Sequence, residues 1–210
     1  YIISMAVAMG VAFTLTWLFG TNNEHIRNEN KPSENKTEKA EQPAQAMETK
    51  AENADVADDG IITAPLSGKA VKLENVPDQT FAQGILGLGA AIEPTEGKVV
   101  APDDGKVETL FDTFHAIGLT LDNGKELLIH VGINTVELKG EGFKAYVSEG
   151  DRVTKGQTLI TFDMDFIKSK GYQTITPVLV GNSDEFASVE ELAEEGTQVT
   201  IGDKLIKVNA

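Results

Sequence analysis

The sequence has no cysteine among its 210 residues and few basic side chains. Without cysteine, the chain can form no disulfide, no thiolate nucleophile and no cysteine-ligated zinc site. Its 18 lysine and arginine residues are outnumbered by 33 aspartate and glutamate residues, which gives a formal charge of −15. A protein of this charge repels the phosphates of nucleic acids instead of neutralising them, so we expect no nucleic-acid partner.

Residues 1–20 contain no charged side chain. Twenty helical residues span about 30 Å, the thickness of the hydrocarbon core of a bilayer, so this stretch predicts a transmembrane helix. It has neither the basic start of a signal peptide nor an initiator methionine, and we therefore expect it to be the end of a membrane subunit. His25 and Arg27 follow it and favour a cytoplasmic location for what comes next.

Residues 21–60 have almost no large apolar side chain after Ile26 and are rich in Glu, Asn, Lys, Ala, Gln and Pro. Such a stretch cannot bury enough apolar surface to offset its ordering entropy, so it predicts a disordered linker. From Ile61 onward, short apolar alternations are broken by Gly, Pro, Asn and Asp, as is typical of antiparallel all-β domains. The predicted organisation is a transmembrane helix over 1–20, a linker over 21–60 and a folded domain over 61–210.

The folded domain contains two internal repeats. The segment 64–69 (APLSGK) returns 37 residues later at 101–106 as APDDGK, and the pattern EG, VT, G and LI of 149–160 returns 46 residues later at 195–206. Each pair indicates a strand and a tight turn that are used twice. The sequence therefore predicts an antiparallel β-sandwich, barrel-like, with two pseudo-symmetric halves.

Helical signal in this domain is slight. Asp163 is placed to cap a short turn through Lys168, and Ser188 with Glu191 resembles a capping box that opens a helix. The glycine-rich segment 80–91 (TFAQGILGLGAA) has no following lysine-serine pair and no strand-to-helix context, which argues against a phosphate loop. We interpret it as a surface loop that carries apolar side chains.

The most informative stretch is 113–142, where Asn123-Gly124 separates two apolar alternations and predicts a β-hairpin. A two-residue loop places His130 diagonal to His115 on one face of the sheet, and a four-residue loop places the two directly opposite. A three-residue loop would place them on opposite faces. With a loop of two or four residues, the hairpin brings the two imidazoles together.

The same histidines lie in multi-residue motifs, TFHA at 113–116 and HVGINTVELKGEGF at 130–143. With VAPDDG at 100–105, EGDRV at 149–153 and TPV at 176–178, these motifs resemble the glucose-type enzyme IIA domain of the bacterial phosphoenolpyruvate-dependent sugar phosphotransferase system. The resemblance runs from Ile61 to Val208. The apolar segment at the start then resembles the last helix of the membrane IIC subunit in a fused permease of the sucrose, β-glucoside or trehalose group.

This resemblance implies a phosphotransferase component that needs no metal or cofactor. It implies that His130 is phosphorylated, that His115 hydrogen-bonds the phosphoryl group and that Thr113 assists. The implied donor is the histidine phosphocarrier protein and the implied acceptor is the cysteine of a IIB domain, at the cytoplasmic side of the cell membrane. An apolar ring for partner docking is implied at Phe81, Ile85, Leu86, Phe111, Leu128 and Val136.

The residue types suit this chemistry. An imidazole is neutral at cellular pH and can act as a nucleophile. A second imidazole can donate a hydrogen bond to the phosphoryl oxygens, and a charge-assisted hydrogen bond is worth roughly 1.5–3 kcal/mol. Phosphoryl transfer needs little beyond in-line positioning and stabilisation of charge, so two histidines and a hydroxyl suffice.

Three other functions compete with this one. A zinc peptidase of the lysostaphin type needs a His-x-His pair, and Gly132 stands where the second histidine would be. A biotinyl or lipoyl carrier needs a lysine in a Met-Lys-Met or Asp-Lys-Ala hairpin, which the sequence lacks. A non-catalytic regulatory binding module of the same fold stays open. Asn134 stands where the family commonly has aspartate. The missing carboxylate would have favoured the imidazolium form of His130. The change also bears on contacts with regulatory targets.

Overall fold

A computed structural model describes residues 59–210 of the chain. The predicted transmembrane helix (1–20) and all but the last two residues of the predicted linker (21–60) lie outside the described residues. Within 59–210, no helix combines the length and the hydropathy of a membrane span. The described part contains β1 (Ile61–Thr63), β2 (Gly68–Lys72), β3 (Leu88–Pro94), β4 (Lys98–Val100), β5 (Gly105–Leu110), β6 (Ala116–Leu121), β7 (Glu126–His130), β8 (Phe143–Ala145), β9 (Arg152–Val153), β10 (Thr158–Phe162), β11 (Thr176–Val180), β12 (Ser188–Glu191), β13 (Gln198–Val199) and β14 (Lys204–Asn209).

The strands form three antiparallel sheets. The large sheet has eight strands in the order β13-β2-β3-β11-β7-β6-β5-β9, and two small sheets have the orders β1-β14-β12 and β4-β10-β8. Helices in the described residues are short: α1 (Gln79–Ala82), α2 (Met164–Ser169) and 3₁₀ turns at Leu73–Asn75, Thr135–Leu138 and Ser183–Glu185. The predicted all-β antiparallel fold is confirmed.

The two halves of the domain repeat the same pairing. β1 and β2 precede β4 and β5 by 37 residues, while β9 and β10 precede β13 and β14 by 46 residues. In one half β2 pairs with β13 and β1 pairs with β14; in the other, β5 pairs with β9 and β4 pairs with β10. Strands β12 and β8 complete the two small sheets in equivalent places. The repeats seen in the sequence are therefore structural repeats.

Apolar side chains are buried on both faces of the large sheet. Its inner face contributes Leu119, Leu127 and Ile129 to a main core shared with the small sheets, represented by Ile160 and Ile206. Its outer face carries a second cluster, in which Leu73, Val76 and Phe81 of the segment from β2 to α1 pack with Ala91, Ile133, Ile175 and Leu179. The outer cluster borders the two histidines.

The hairpin between β6 and β7 forms as predicted, but its loop has three residues. Leu121 and Lys125 close the loop through the Leu121 N–H and the Lys125 carbonyl at 2.9 Å, which leaves 122–124 between the strands. A two-residue type I′ turn needs positive φ at both central residues, and here Gly124 (φ 84) has it while Asn123 does not. The loop is instead of the three-residue kind, a turn followed by one left-handed glycine. At the first residue of the loop, the Arg152 guanidinium donates two hydrogen bonds of 2.6 Å to the Asp122 carboxylate.

Two of the smaller predictions were wrong and one is confirmed. The Asp163 side chain accepts a hydrogen bond from the Phe166 N–H and caps α2, as predicted. The segment from Ser188 to Glu191 is strand β12 and not a helix, because its backbone pairs with β14. The glycine-rich segment is not simply a loop: it begins in α1 and ends in β3, and only residues between them turn at the surface.

Candidate functional site

The imidazoles of His115 and His130 meet, with ring centroids 4.9 Å apart and ring planes at 85°. The pairing of β6 with β7 puts Ala116, and not His115 or Ile117, opposite His130. Strict alternation along β6 would then point His115 to the other face. His115 escapes this rule because it lies before the strand, directly after Phe114, whose φ of 54° turns the chain. The predicted histidine pair is present, but the register from which it was inferred was wrong.

The His130 ring is held by the backbone two residues further on. Its Nδ1 lies 2.8 Å from the carbonyl oxygen of Gly132. A carbonyl can only accept, so Nδ1 carries the proton and donates it, and in the neutral ring the lone pair resides on Nε2. The turn that brings this carbonyl back depends on Gly132 itself, which has φ 76°.

The His115 ring is held by the hydroxyl of Thr113. Thr113 Oγ1 lies 2.6 Å from His115 Nδ1, so all three residues predicted for the site are brought together. His115 is 5% exposed, and His130 is half-buried. One ring nitrogen of each imidazole is thus engaged by a fixed partner, which leaves the Nε2 atoms for chemistry at the surface.

Two phenyl rings flank the histidine pair and complete a row of four rings. Phe81 packs on His130 with centroids 5.0 Å apart, and Phe111 meets His115 edge-on at 5.4 Å. Burial, and then the neighbouring His130, lower the pKa of His115 to about 4. Burial also lowers the pKa of His130, although the hydrogen bond to Gly132 opposes the shift. Both imidazoles are therefore neutral at pH 7, and neutral His130 is the nucleophilic form.

Sequence reasoning missed the part that Asp78 plays here. Its carboxylate caps α1, by accepting from the Thr80 N–H at 2.8 Å, and it exerts a field on His130 that favours the protonated ring. The cap fixes the helix that carries Phe81. The signal was present in the sequence, since aspartate is one of the preferred N-cap residues of helices. Asn134, by contrast, lies exposed with φ 59°, a left-handed conformation that asparagine tolerates well.

The predicted docking residues fall into two groups. Phe81 and Phe111 belong to the ring row, and Phe81 is nearly buried, so both contact the histidines directly. Ile85 (65% exposed) and Val136 (45% exposed) present apolar surface to solvent. Leu86 and Leu128 are partly buried against the outer cluster. Within residues 59–210, no group of three or more His, Cys, Asp or Glu side chains is arranged to hold a metal ion.

Gly132 is a position where we expect substitution to be costly. A Cβ there would lie 2.5 Å from Thr135 Cγ2 and 2.6 Å from the Gln173 carbonyl oxygen, in a backbone conformation that itself costs about 1–3 kcal/mol for other residues. Gly124→Ala is a matched control, because its φ is also positive but nothing lies within 4 Å of its Cβ. Thermal unfolding should show a loss of Tm for Gly132→Ala at least about twice that of Gly124→Ala. Equal losses would mean that the crowding around Gly132 is unimportant.

The fold and the site together define a class: all-β domains in which a contacting pair of neutral histidines lies at the end of a central hairpin. The family model for the phosphoenolpyruvate-dependent sugar phosphotransferase system, EIIA 1, matches residues 60–186. The chain therefore belongs to this family.

Relatives and a solved structure agree with this membership. The chain is 49% identical over 138 residues to the PTS system glucose-specific EIIA component of Halalkalibacterium halodurans, which covers 66% of this chain and 80% of that protein. It is 50% identical over 129 residues to the protein of the same name from Bacillus cereus, covering 61% and 78%. The structure is similar to glucose permease IIA from Mycoplasma capricolum, with a TM-score of 0.62 and 31% identity over 70% of this chain and 93% of that one.

Proposed function

We propose that the domain is a phosphohistidine carrier of a sugar phosphotransferase system and that Nε2 of His130 bears the phosphoryl group. The observation that carries this proposal is the 2.8 Å contact between His130 Nδ1 and the Gly132 carbonyl, because it leaves the lone pair on Nε2. In the transfer, this lone pair forms a new N–P bond while the P–N bond of the donor's phosphohistidine breaks. The donor imidazole leaves with the electron pair of the broken bond, and it leaves as a neutral ring if its other nitrogen carries a proton, as Nδ1 of His130 does.

His115 and Thr113 have supporting roles in this proposal. Thr113 Oγ1 lies 2.6 Å from His115 Nδ1, and we infer that the hydroxyl is the donor, which puts the remaining proton of the neutral ring on Nε2. That N–H then donates to a phosphoryl oxygen on His130, at the ring contact of 4.9 Å. Because burial lowers the pKa of His115, it stays a neutral donor and does not titrate in the range of cellular pH.

The proposed partners are the histidine phosphocarrier protein as donor and a IIB domain as acceptor. In the second step the cysteine thiolate of IIB forms an S–P bond, the N–P bond breaks, and His130 recovers its lone pair as a neutral imidazole. Ile85 and Val136 offer exposed apolar surface for both partners, with Leu86 and Leu128 behind them. Phe81 and Phe111 shield the imidazoles from water at the base of this surface.

The wider organisation is also a proposal. Residues 61–210 are the carrier domain, and the sequence of 1–60 supports a membrane helix followed by a linker. In this arrangement the domain belongs to a fused permease, beside its IIC subunit at the cytoplasmic side of the membrane. The apolar and uncharged composition of 1–20 supports this arrangement.

Labelling with a phosphoryl donor tests the proposed function. The 210-residue chain, mixed with phosphoenolpyruvate, enzyme I and the histidine phosphocarrier protein, is expected to gain one phosphate by intact-mass spectrometry. The phosphate should be lost in acid and kept in base, as expected of a phosphoramidate. A chain that binds the carrier protein but gains no phosphate would instead favour a non-catalytic regulatory module.

A further inference from the structure

One small sheet carries two lysines on its outer face in a domain that is otherwise acidic. Residues 61–210 hold 23 acidic and 13 basic side chains, a formal charge of −10. In the sheet β4-β10-β8, Thr161 of the central strand lies opposite Lys98 on one side and opposite Lys144 on the other. Their neighbours Val99 and Ile160 are fully buried, so the row Lys98–Thr161–Lys144 faces outward.

The equivalent row in the other half of the domain has a different charge. There the central strand β14 contributes Lys207, which lies opposite Ile61 of β1 and Glu190 of β12. The spacing of 37 and 46 residues relates the two rows position by position. One row thus holds a single charge of each sign, whereas the other holds two positive charges on either side of a hydroxyl. The internal repeat therefore provides a built-in comparison for what is special about the lysine row.

The two lysines have no carboxylate partner among the residues that the structure describes. Ion pairs found there include Lys72 with Glu74, Lys106 with Glu108 and Arg152 with Asp122. The ammonium group of Lys144 instead lies 4.7 Å from the centre of the Tyr146 ring. Lys98 and Lys144 lie on strands that are two strand spacings apart, roughly 10 Å, so their long side chains can reach towards each other above Thr161.

Hydroxyl groups lie between the two charges. Thr161 Oγ1 donates to the Tyr146 oxygen at 3.4 Å, and Tyr146 is 50% exposed. Beside them opens a surface cleft of about 390 Å³ lined by Gly142, Phe143, Lys144, Thr161, Phe162 and Asp163. The hydrogen bond from Thr161, and then the charge of Lys144, lower the pKa of the Tyr146 phenol. Of these groups, Lys144 and Thr161 line the cleft, and the Asp163 carboxylate that also lines it accepts from the Phe166 N–H. Two ammonium groups and two hydroxyls on one face of a sheet are groups that bind a compact oxyanion.

We propose that the Lys98–Thr161–Lys144 row, with Tyr146, binds a phosphomonoester dianion at a site separate from the two histidines. The ammonium groups of Lys98 and Lys144 neutralise the two charges, and the Tyr146 hydroxyl, which accepts from Thr161, donates to a phosphate oxygen. The site holds its ligand without bond making or breaking. It could be filled by a soluble phosphoester or by the phosphate of a lipid headgroup, since both present the same chemistry.

Amide chemical shifts of the ¹⁵N-labelled 210-residue chain test this site. At constant ionic strength, inorganic phosphate and a hexose 6-phosphate are added in separate titrations, and phosphatidylcholine vesicles with and without phosphatidic acid form a third arm. We expect shifts at 98, 144, 146 and 161, with a dissociation constant on the order of millimolar. Binding in the soluble arms identifies a free phosphoester as ligand, and binding in the phosphatidic acid arm alone identifies a lipid headgroup.

Matched variants decide whether the lysine row is responsible. Lys98→Met and Lys144→Met keep the length of the side chain and should each weaken binding about tenfold or more, the scale of one charge-assisted hydrogen bond. Lys207→Met removes the same charge from the equivalent row and should leave the affinity unchanged. The proposal is overturned if no probe shifts the four amides, if only amides around His115 and His130 respond, or if Lys207→Met weakens binding as much as the other two.

Discussion

Replacing His130 by alanine should reduce phosphate incorporation to background, a loss of about 10³-fold or more. The imidazole is the nucleophile of the proposed transfer, and no neighbouring group can replace its Nε2 lone pair. His115 has its Nδ1 engaged by Thr113 and lies deeper, at 5% exposure. Intact-mass spectrometry after incubation with the complete phosphoryl donor system gives the readout.

Two further variants make this experiment decisive. His130→Gln keeps a polar group of similar size against Phe81, so it separates loss of the nucleophile from loss of packing. His25→Ala removes a histidine from the predicted linker and should label like the parent chain. Circular dichroism would verify that each variant is folded. Full labelling of either His130 variant would show that another residue is phosphorylated and would overturn the assignment to His130.

Replacing His115 by glutamine should separate the two half-reactions. His130 and the apolar docking surface remain, so the chain should still accept phosphate from the histidine phosphocarrier protein at a rate within a few-fold of the parent. Transfer onward to the IIB cysteine should slow about 10²-fold or more, the scale expected when one transition-state donor is lost. Rapid-quench measurements of each half-reaction provide the test.

Thr113→Val extends this test to the hydroxyl. It removes the 2.6 Å contact with His115 Nδ1 but keeps the imidazole, so onward transfer should slow less than in His115→Gln. This ordering follows if the hydroxyl acts by fixing the tautomer of the donor ring. Equal impairment of both half-reactions in His115→Gln would contradict the proposed division of roles.

The sequence was sufficient to predict the fold class and the repeats, whereas the histidine pair was inferred from a strand register that the structure does not have. Periodic alternation and the paired turn motifs are local signals, and they map onto strands that do pair in two similar halves. The register at Asn123-Gly124 was not predictable in the same way. Whether one or two residues of that turn adopt positive φ depends on tertiary contacts, such as Arg152 with Asp122 and Asn182 with Gly124.

Some features of the site were likewise not predictable from the sequence. The unusual backbone of Phe114, which lets His115 reach His130, has no residue-type signature because phenylalanine rarely adopts positive φ. The family resemblance implied that Phe81 is a docking residue, whereas the fold buries it and packs it against His130. Ser188 and Glu191 matched a capping box, but pairing with β14 outweighed this local preference.

The row of four rings affects the free energy of the phosphorylated state in both proposed transfers. Among the residues that the structure describes, the charge with a resolved effect on His130 is the carboxylate of Asp78, and it is negative. A phosphoryl dianion on Nε2 would be received by neutral donors and phenyl rings, which stabilise an anion less than cations do. Such a site does not stabilise the phosphoryl group strongly enough to hold it in a deep free-energy minimum. Each transfer then stays reversible, and the direction of flow is set by which partner protein is more highly phosphorylated at that moment.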